Sequence, residues 1–328
     1  MDILKKTLVQ IEAADRQRMK KKENELNSLL KTPKGLGIVE DLAIKLEGMQ
    51  KNYRPKKKMV LVMAADNGVE REKVSKSKRV ITQYVVEAML SGTSSINSLA
   101  KSFGADVKVV DLGIDESSDN TGKINLSGII PKKLMPFGTN NILNEAAMSY
   151  ETSVSAIEIG IEAVDEFVKE GYNLFATGEM GIGNTSTSSA VLKVFSDLPL
   201  DDIVGFGSGI DKKTLKHKKE IIKRAILTKK IDKKDPIDVL SKVGGLDIAG
   251  MAGTFLGCAK NGVPLLCRPR VFHFDFYCIN GGIFRFQLFR ASRIRQLRHA
   301  DYTLYRFLLP HSCTGVLPTL TRPRYLLS

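Results

Sequence analysis

The stretch Asn173-Leu-Phe-Ala-Thr-Gly-Glu-Met-Gly-Ile-Gly-Asn-Thr-Ser-Thr-Ser-Ser-Ala190 holds the most chemistry in this chain. An apolar, strand-like run from Leu174 to Ala176 ends in a turn spaced by Gly178, Gly181 and Gly183, and a helical pattern follows from Ala190 to Phe195. Asn184 and Thr185 are residue types that cap such a helix. Strand, glycine turn and helix start together direct free backbone N–H groups and a positive helix end toward an anion, usually phosphate. Glu179 lies inside that turn. A carboxylate beside a phosphate cradle suits a substrate with positive charge or ribose hydroxyls next to its phosphate. The spacing G-x-x-G-x-G is neither the dinucleotide fingerprint nor the Walker pattern. A tight turn without ligand is the competing reading, although simple turns seldom combine three glycines with an Asn and a Glu.

The elements that must position this turn follow from periodicity. Residues 2–31 read as one charged amphipathic helix, with Ile3, Leu4, Leu8 and Ile11, then Leu26, Leu29 and Leu30, at helical intervals. Thr32-Pro-Lys-Gly-Leu-Gly37 breaks it, and a second helix begins at Ile38. After a basic linker, Met59 to Ala65 is the continuous apolar run of a buried parallel strand, closed by the turn signal Asp66-Asn67-Gly68. A long helix is expected over 80–103, a strand from Asp106 to Leu112, a loop over 116–142 and a helix from Asn144 to Glu170. Ile203 to Gly209 reads as a fourth strand and turn, followed by a lysine-rich helix from Lys213 to Leu227. Asp235-Pro236 opens another helix. Gly244-Gly245 separates it from a last one, Leu246 to Ala259, whose Gly250, Gly253 and Gly257 permit close backbone packing.

Strands alternating with helices predict an α/β fold: a doubly wound, mostly parallel, Rossmann-like sheet with a small helical subdomain from the N-terminal segment. Ligands of such sheets sit outside the carboxyl ends of the strands, so Asp66, Asp111, Glu179 and Ser208 are expected to line one cleft. The organisation reads as an N-terminal helical segment (1–55), an α/β substrate-binding domain (56–266) and an aberrant arginine-rich tail (267–328).

Bulk properties are those of an ordinary soluble globular protein, with 43% hydrophobic and 26% charged residues in 328. No apolar run approaches the roughly 18–20 residues of a membrane span, and the N-terminus lacks the apolar core of a signal peptide. A cytoplasmic protein is expected. Four cysteines without a C-x-x-C pair point to neither zinc nor a disulfide framework. The net charge of +14 invites a nucleic-acid partner, but its distribution argues against one. Eight of those charges fall in the last 62 residues, which hold ten Arg and two Asp but no Lys or Glu. At the lysine frequency of residues 1–266, a lysine-free stretch of that length has a probability on the order of 10⁻⁴. Elsewhere the lysines lie at helical spacing and read as solvated faces.

Several segments jointly resemble the nicotinate-nucleotide–dimethylbenzimidazole phosphoribosyltransferase family. Gly178-Glu-Met-Gly-Ile-Gly-Asn-Thr185 is the most distinctive string. In family order stand Ala65-Asp-Asn-Gly-Val69, Val74-Ser75 with Thr82-x-Tyr84, Val110-Asp-Leu-Gly113, Gly205-Phe-Gly-Ser-Gly-Ile-Asp211, Asp235-Pro236 and Gly244-Gly-Leu-Asp-Ile-Ala249. The match runs over about residues 30–266. It implies attack of a benzimidazole nitrogen on C1′ of nicotinate mononucleotide, loss of nicotinate and inversion to an α-riboside 5′-phosphate, with no cofactor, no metal and a homodimeric enzyme. Gly181, Gly183, Asn184, Ser208 and Gly209 are then substrate-binding. Lys218 occupies the position of the phosphate-binding lysine, a solvated lysine being the alternative. Glu179 would stabilise the oxocarbenium-like centre, and Ser75 and Gln83 match contacts to the aromatic acceptor. Asp66 is expected to organise its turn, Asp247 to complement a helix dipole, and His217 to be solvated.

Three departures stand out. Asn67 replaces the usual His, and the G-S-L-G motif is shortened to Gly35-Leu36-Gly37. The third is larger: after Leu266 the family continues with Val-Asp-Gly-Phe-Ile-Ser and later carries an R-L-G-E-G-T-G-A type segment, whose Glu resembles the general base. Shifting the reading by one base through Cys267-Arg-Pro-Arg-Val-Phe-His-Phe permits codons for most of that continuation. A frameshift near residue 266 and an impaired, aggregation-prone chain are therefore expected. A non-catalytic phosphate-binding protein with an RNA- or partner-binding tail is the alternative from another class, and an unrelated nucleotide-dependent α/β enzyme a third.

Overall fold

An uninterrupted apolar run has no solvated face, and the run Met59 to Ala65 accordingly lies at the centre of a sheet. The computed structural model describes residues 2–118 and 123–266, with the backbone of 274–279 and 283–288. Five strands, β1 (Lys57–Ala65), β2 (Ala105–Gly113), β3 (Ile130–Pro131), β4 (Tyr172–Met180) and β5 (Leu265–Leu266), form one parallel sheet in the order β3-β2-β1-β4-β5. The chain winds outward from β1 to β3, then crosses back to β4 on the other side. That reversal between β1 and β4 is a topological switch point, where such sheets open a crevice at the strand ends.

The described helices are α1 (Asp2–Gln10), α2 (Arg16–Ser28), α3 (Ile38–Met49), α4 (Ile81–Leu90), α5 (Ser95–Ser102), α6 (Tyr150–Lys169), α7 (Asn184–Phe195), α8 (Leu200–Ile203), α9 (Lys212–Leu227), α10 (Pro236–Val243) and α11 (Leu246–Lys260). Period-two alternation along β1 divides its side chains between two layers. Met59, Leu61 and Met63 join the larger core with Leu112, Ile157, Ile161 and Phe175, under α6 and α11. Val62 and Ala64 join a smaller one with Val86, Val109 and Ile114, under α4 and α5. The sheet is thus covered on both faces, as expected. From the N-terminal segment, α1 docks on α6 and α11 while α2 packs on α3.

Three expectations about elements are corrected. The helix expected over 2–31 is two, because the Asp15 carboxylate accepts from Gln17 N (2.9 Å) and Arg18 N (3.0 Å) and starts α2 afresh. The helix expected over 80–103 also divides, where Ser94 caps α5. The strand expected over 203–209 does not form. Ile203 ends the short α8, residues 206–209 make a turn, and the place beside β4 is taken by β5, paired with Phe175 and Ala176. Ser208 therefore sits on a turn and not at a strand end. The tail reading falls on 267–328, outside the described residues apart from a two-stranded antiparallel pair, β6 (Phe274–Ile279) and β7 (Ile283–Leu288).

The small residues of α11 meet α6 backbone to backbone. A Cβ at Gly253 would lie 1.9 Å from the Ile157 carbonyl oxygen, and one at Gly160 would lie 2.1 Å from the Gly250 carbonyl oxygen. No side-chain rotation relieves such a clash. Gly253→Ala is expected to lower stability by about 1–3 kcal/mol, while Gly205→Ala, which meets nothing within 4 Å, should change it by less than about 0.5 kcal/mol. Urea melts of both variants test the difference.

Candidate active site

The end of β1 and the turn after β4 are tied together before any ligand is considered. The Thr82 hydroxyl on α4 donates to Asp66 Oδ1 (2.5 Å) and accepts from Ile182 N (3.1 Å). Asp66 Oδ2 accepts from Asp115 N (2.9 Å), and Asn67 N donates to the Ile182 carbonyl (3.1 Å). Burial pushes the Asp66 carboxyl up to about 6, against the lowering effect of its hydrogen bonds. Asp66 organises its turn, as expected.

The glycine turn is shorter than its sequence implies. Strand β4 continues through Gly178, Glu179 and Met180, leaving Gly181–Gly183 as the turn. A Cβ at Gly181 would lie 1.7 Å from the Ala65 carbonyl oxygen, so only glycine lets β4 turn this close to β1. Gly183, at φ +95°, is the N-cap of α7 in place of the Asn184 and Thr185 expected. Asn184 is the first helical residue. Its Nδ2 donates to Glu179 Oε2 and its Oδ1 accepts from Thr185 N (2.7 Å).

Behind the turn lies a buried polar group that sequence reasoning passed over. Asn67 and Asp247 have no exposed surface. Asn67 Nδ2 is 3.3 Å from the Ala65 carbonyl oxygen and 3.4 Å from Asp247 Oδ2, and its Oδ1 is 3.2 Å from the Thr187 hydroxyl. Asp247 Oδ1 accepts from Ile248 N (2.9 Å) in the first turn of α11. Asp247 does complement a helix dipole, and its charge also acts on Glu179. Burial raises the proton affinity of both carboxyls above the usual range. The charge of Asp247 raises that of Glu179 further, and the Asn184 amide opposes it. Glu179 as a whole residue is half-buried.

The cation stands at the other end of α7's first turn. Lys218 on α9 is 1% exposed, and its Nζ donates to Thr185 Oγ1 at 2.7 Å. Among the described residues no carboxylate pairs with it, and burial lowers its pKa from the ordinary lysine value to about 8. The solvated-lysine reading fails here, although it holds for the neighbours Lys216 and Lys223. Gly207 brings the 206–209 turn over this pair: a Cβ there would sit 3.2 Å from Thr185 Oγ1 and 3.5 Å from Lys218 Nζ. Ser208 Oγ lies 3.4 Å from Ser75 Oγ, and His217, exposed as expected, places Nε2 2.8 Å from the Glu72 carbonyl oxygen. Gly209 follows in the same exposed turn. Gln83 is 2% exposed and donates through Nε2 to the Asp115 carbonyl (2.8 Å).

The structure therefore brings Glu179, Gly181, Gly183, Asn184 and Lys218 to one place, with Ser75, Ser208 and Gly209 along its rim. Asp111 is directed elsewhere: its Oδ1 accepts from Gly113 N and Ile114 N, and Oδ2 lies 3.3 Å from Lys133 Nζ. A buried ammonium with one neutral partner calls for an anion, and it stands by the positive end of α7, whose first amides are engaged within the turn: Asn184 N on the Gly181 carbonyl, Thr185 N on Asn184 Oδ1 and Ser186 N on the Gly183 carbonyl. The carboxyls on the opposite side favour positive charge.

A Lys whose folded pKa lies below its unfolded value makes stability rise with pH between the two values, here from about 8 toward 10.5. Below that window the buried charge is a standing cost. Lys218→Met should therefore unfold later in guanidinium at pH 7, by on the order of 1–3 kcal/mol, with the advantage shrinking by pH 10.

Known proteins are similar to this chain in sequence and fold. A phosphoribosyltransferase family model matches residues 11–267. The nicotinate-nucleotide–dimethylbenzimidazole phosphoribosyltransferase of Clostridium acetobutylicum is 43% identical over 258 residues, covering 78% of this chain and 71% of that protein. The enzyme of the same name from Acetivibrio thermocellus is 42% identical over 266 residues, covering 80% and 74%. The crystal structure of CobT from Thermus thermophilus superposes with a TM-score of 0.70 at 29% identity, over 77% of this chain and 74% of that one. The parallel sheet, the glycine turn before α7 and this extent of similarity lead to one conclusion: the chain belongs to the nicotinate-nucleotide–dimethylbenzimidazole phosphoribosyltransferase family.

Proposed function

We propose that this site moves the 5-phosphoribosyl group of nicotinate mononucleotide to 5,6-dimethylbenzimidazole, releasing nicotinate and forming α-ribazole 5′-phosphate for the lower ligand of a cobamide. The names of the relatives support the substrates. The observation that carries the reading is the buried Lys218 ammonium, held on Thr185 beside the start of α7.

In this reading the 5′-phosphate takes the place before Lys218, at the positive end of α7, and Thr185 N turns to it from Asn184 Oδ1. The ribose and the cationic pyridinium then extend toward Glu179. A benzimidazole nitrogen forms a bond to C1′ as the C1′–N bond to the pyridinium breaks. The breaking bond's electron pair neutralises the ring nitrogen of departing nicotinate. Positive charge gathers at C1′ in between, and the Glu179 carboxylate stabilises it. Ser208 and Gly209 close the phosphate end, Ser75 adjoins Ser208 where the acceptor enters, and Gln83, held on the Asp115 carbonyl, backs the acceptor side. The acceptor's remaining N–H proton must then leave, and the family assigns that task to a C-terminal Glu.

We extend the proposal to the tail. Similarity to the family stops at residue 267, and no lysine follows Lys260. A frame change there removes the general base, a loss worth about 10²- to 10⁴-fold in rate. The enzyme is proposed as a cytoplasmic homodimer when its C-terminal segment is restored, and sedimentation of the restored chain tests the dimer.

The deciding assay supplies nicotinate mononucleotide and dimethylbenzimidazole to the chain as it stands and to a version with the frame restored. Product from the second alone, or at least about 10² times faster from it, supports both the function and the lesion. Resequencing that finds this tail in an intact reading frame removes the lesion. In the restored enzyme, Lys218→Met should raise KM for the ribotide about 10- to 100-fold, the worth of a hydrogen bond to a charged group. Glu179→Gln should instead lower kcat about 10²- to 10³-fold.

A further inference from the structure

A continuous line of hydrogen bonds joins the two charged ends of the site, and Asn184 is its middle member. Asn184 Nδ2 donates to Glu179 Oε2, and its Oδ1 accepts from Thr185 N at 2.7 Å. Thr185 Oγ1 in turn accepts from the Lys218 ammonium, also at 2.7 Å. The line has no second support. Among the described residues, Asn184 is the one side chain bonded to the Glu179 carboxyl, and Thr185 the one partner of Lys218 Nζ.

The backbone of Asn184 is pinned, so only its side chain can change partners. Its N–H donates to the Gly181 carbonyl (3.2 Å), and its carbonyl accepts from the hydroxyls of Thr187 (3.0 Å) and Ser188 (2.7 Å). The neighbours also dictate which way the amide faces. An ionised carboxylate only accepts and a backbone N–H only donates, so Nδ2 must meet Glu179 and Oδ1 must meet Thr185. Thr185 N has a single hydrogen to give. It can serve Asn184 Oδ1 or a phosphate before Lys218, and a charged acceptor makes a hydrogen bond roughly twice as strong as a neutral one. Once the phosphate takes that hydrogen, Asn184 has lost its anchor at Oδ1 and keeps only its bond to Glu179.

We propose that Asn184 is a positioning residue that couples the two ends of the ribotide: it ties the Glu179 carboxyl back to Thr185 N in the empty site, and a phosphate that takes Thr185 N releases the carboxyl toward the ribose. Filling the anionic end thus prepares the carboxylate for the cationic end. The coupling is reciprocal, since each end must raise the affinity of the other by the same factor. A ribotide is then favoured over its riboside by more than the contacts of the phosphate itself. The inference rests on the ribotide reading of the site.

Nuclear magnetic resonance and calorimetry on the full chain test it. Inorganic phosphate, titrated into the ¹⁵N-labelled protein, should shift the Thr185 backbone amide and the Asn184 side-chain NH₂ pair over the same concentration range. An unmoved Asn184 pair overturns the coupling. In calorimetry, saturating phosphate should tighten binding of nicotinate riboside about 10- to 100-fold, and Asn184→Ala should cut that factor at least about fivefold, leaving the direct attraction between phosphate and ring. An undiminished factor in a folded Asn184→Ala variant also overturns it. If the variant does not fold, the resonance shifts of the unaltered chain decide alone. Nicotinate mononucleotide that binds without moving the Asn184 pair sinks the coupling and spares the functional reading. Absence of any response to phosphate, riboside and mononucleotide removes both.

Discussion

The approach of the Gly181–Gly183 turn to the end of β1 is the constraint on which the site depends. Parallel neighbours lie about 4.8 Å apart, and here the chain leaving β4 bends back over the Ala65 carbonyl, where a side chain at residue 181 has no room. The backbone bond between Asn67 and Ile182 and the double role of Thr82 then fix the turn on two sides. With the turn fixed, the direction of α7 is fixed. Its first residues hold Glu179 through Asn184 and Lys218 through Thr185. A displacement of the turn would move both charges together.

Those charges are of opposite sign and lie at opposite sides of one helical turn. Each is costly to bury alone, since the interior disfavours an unpaired ion far more than a neutral group. Sharing an ion pair would lessen the cost, but Lys218 and Glu179 each take a neutral partner on α7 instead. The arrangement keeps both available to something from outside. A dipolar ligand, anionic at one end and cationic at the other, compensates both at once. That is the charge distribution of the pyridinium ribotide proposed above.

Much of this was legible in the sequence because local signals carried it. The apolar run of β1, the glycine string before α7 and the Asp235-Pro236 helix start each act within a few residues. Where reasoning failed, tertiary contact had decided. Ile203-Val204 has the composition of a strand, but the edge beside β4 accepts Leu265-Leu266 instead. The helix over 80–103 had continuous periodicity, and the cap at Ser94 interrupted it. Lys218 sits in a run of lysines with nothing local to distinguish it, and only the folding of α9 against α7 turns that one inward. Asp247 was hidden for the same reason, since a first-turn acid is common on any helix. Thr185 and Thr187 could have been noticed: on alternate positions of a helix start they face different neighbours, Lys218 and Asn67.

The crossing of α6 and α11 reaches further than packing. Two helices in backbone contact have no cushion of side chains that could slide or re-rotamer, so they can separate only as a unit. Amide hydrogens along both should exchange with solvent at the slow rate of the most cooperative opening, while the exposed 206–209 turn exchanges freely. Asp247 begins one of these helices. The carboxyl side of the candidate site is therefore built on a persistent part of the described structure, and thermal breathing is left to the exposed 206–209 turn along its rim.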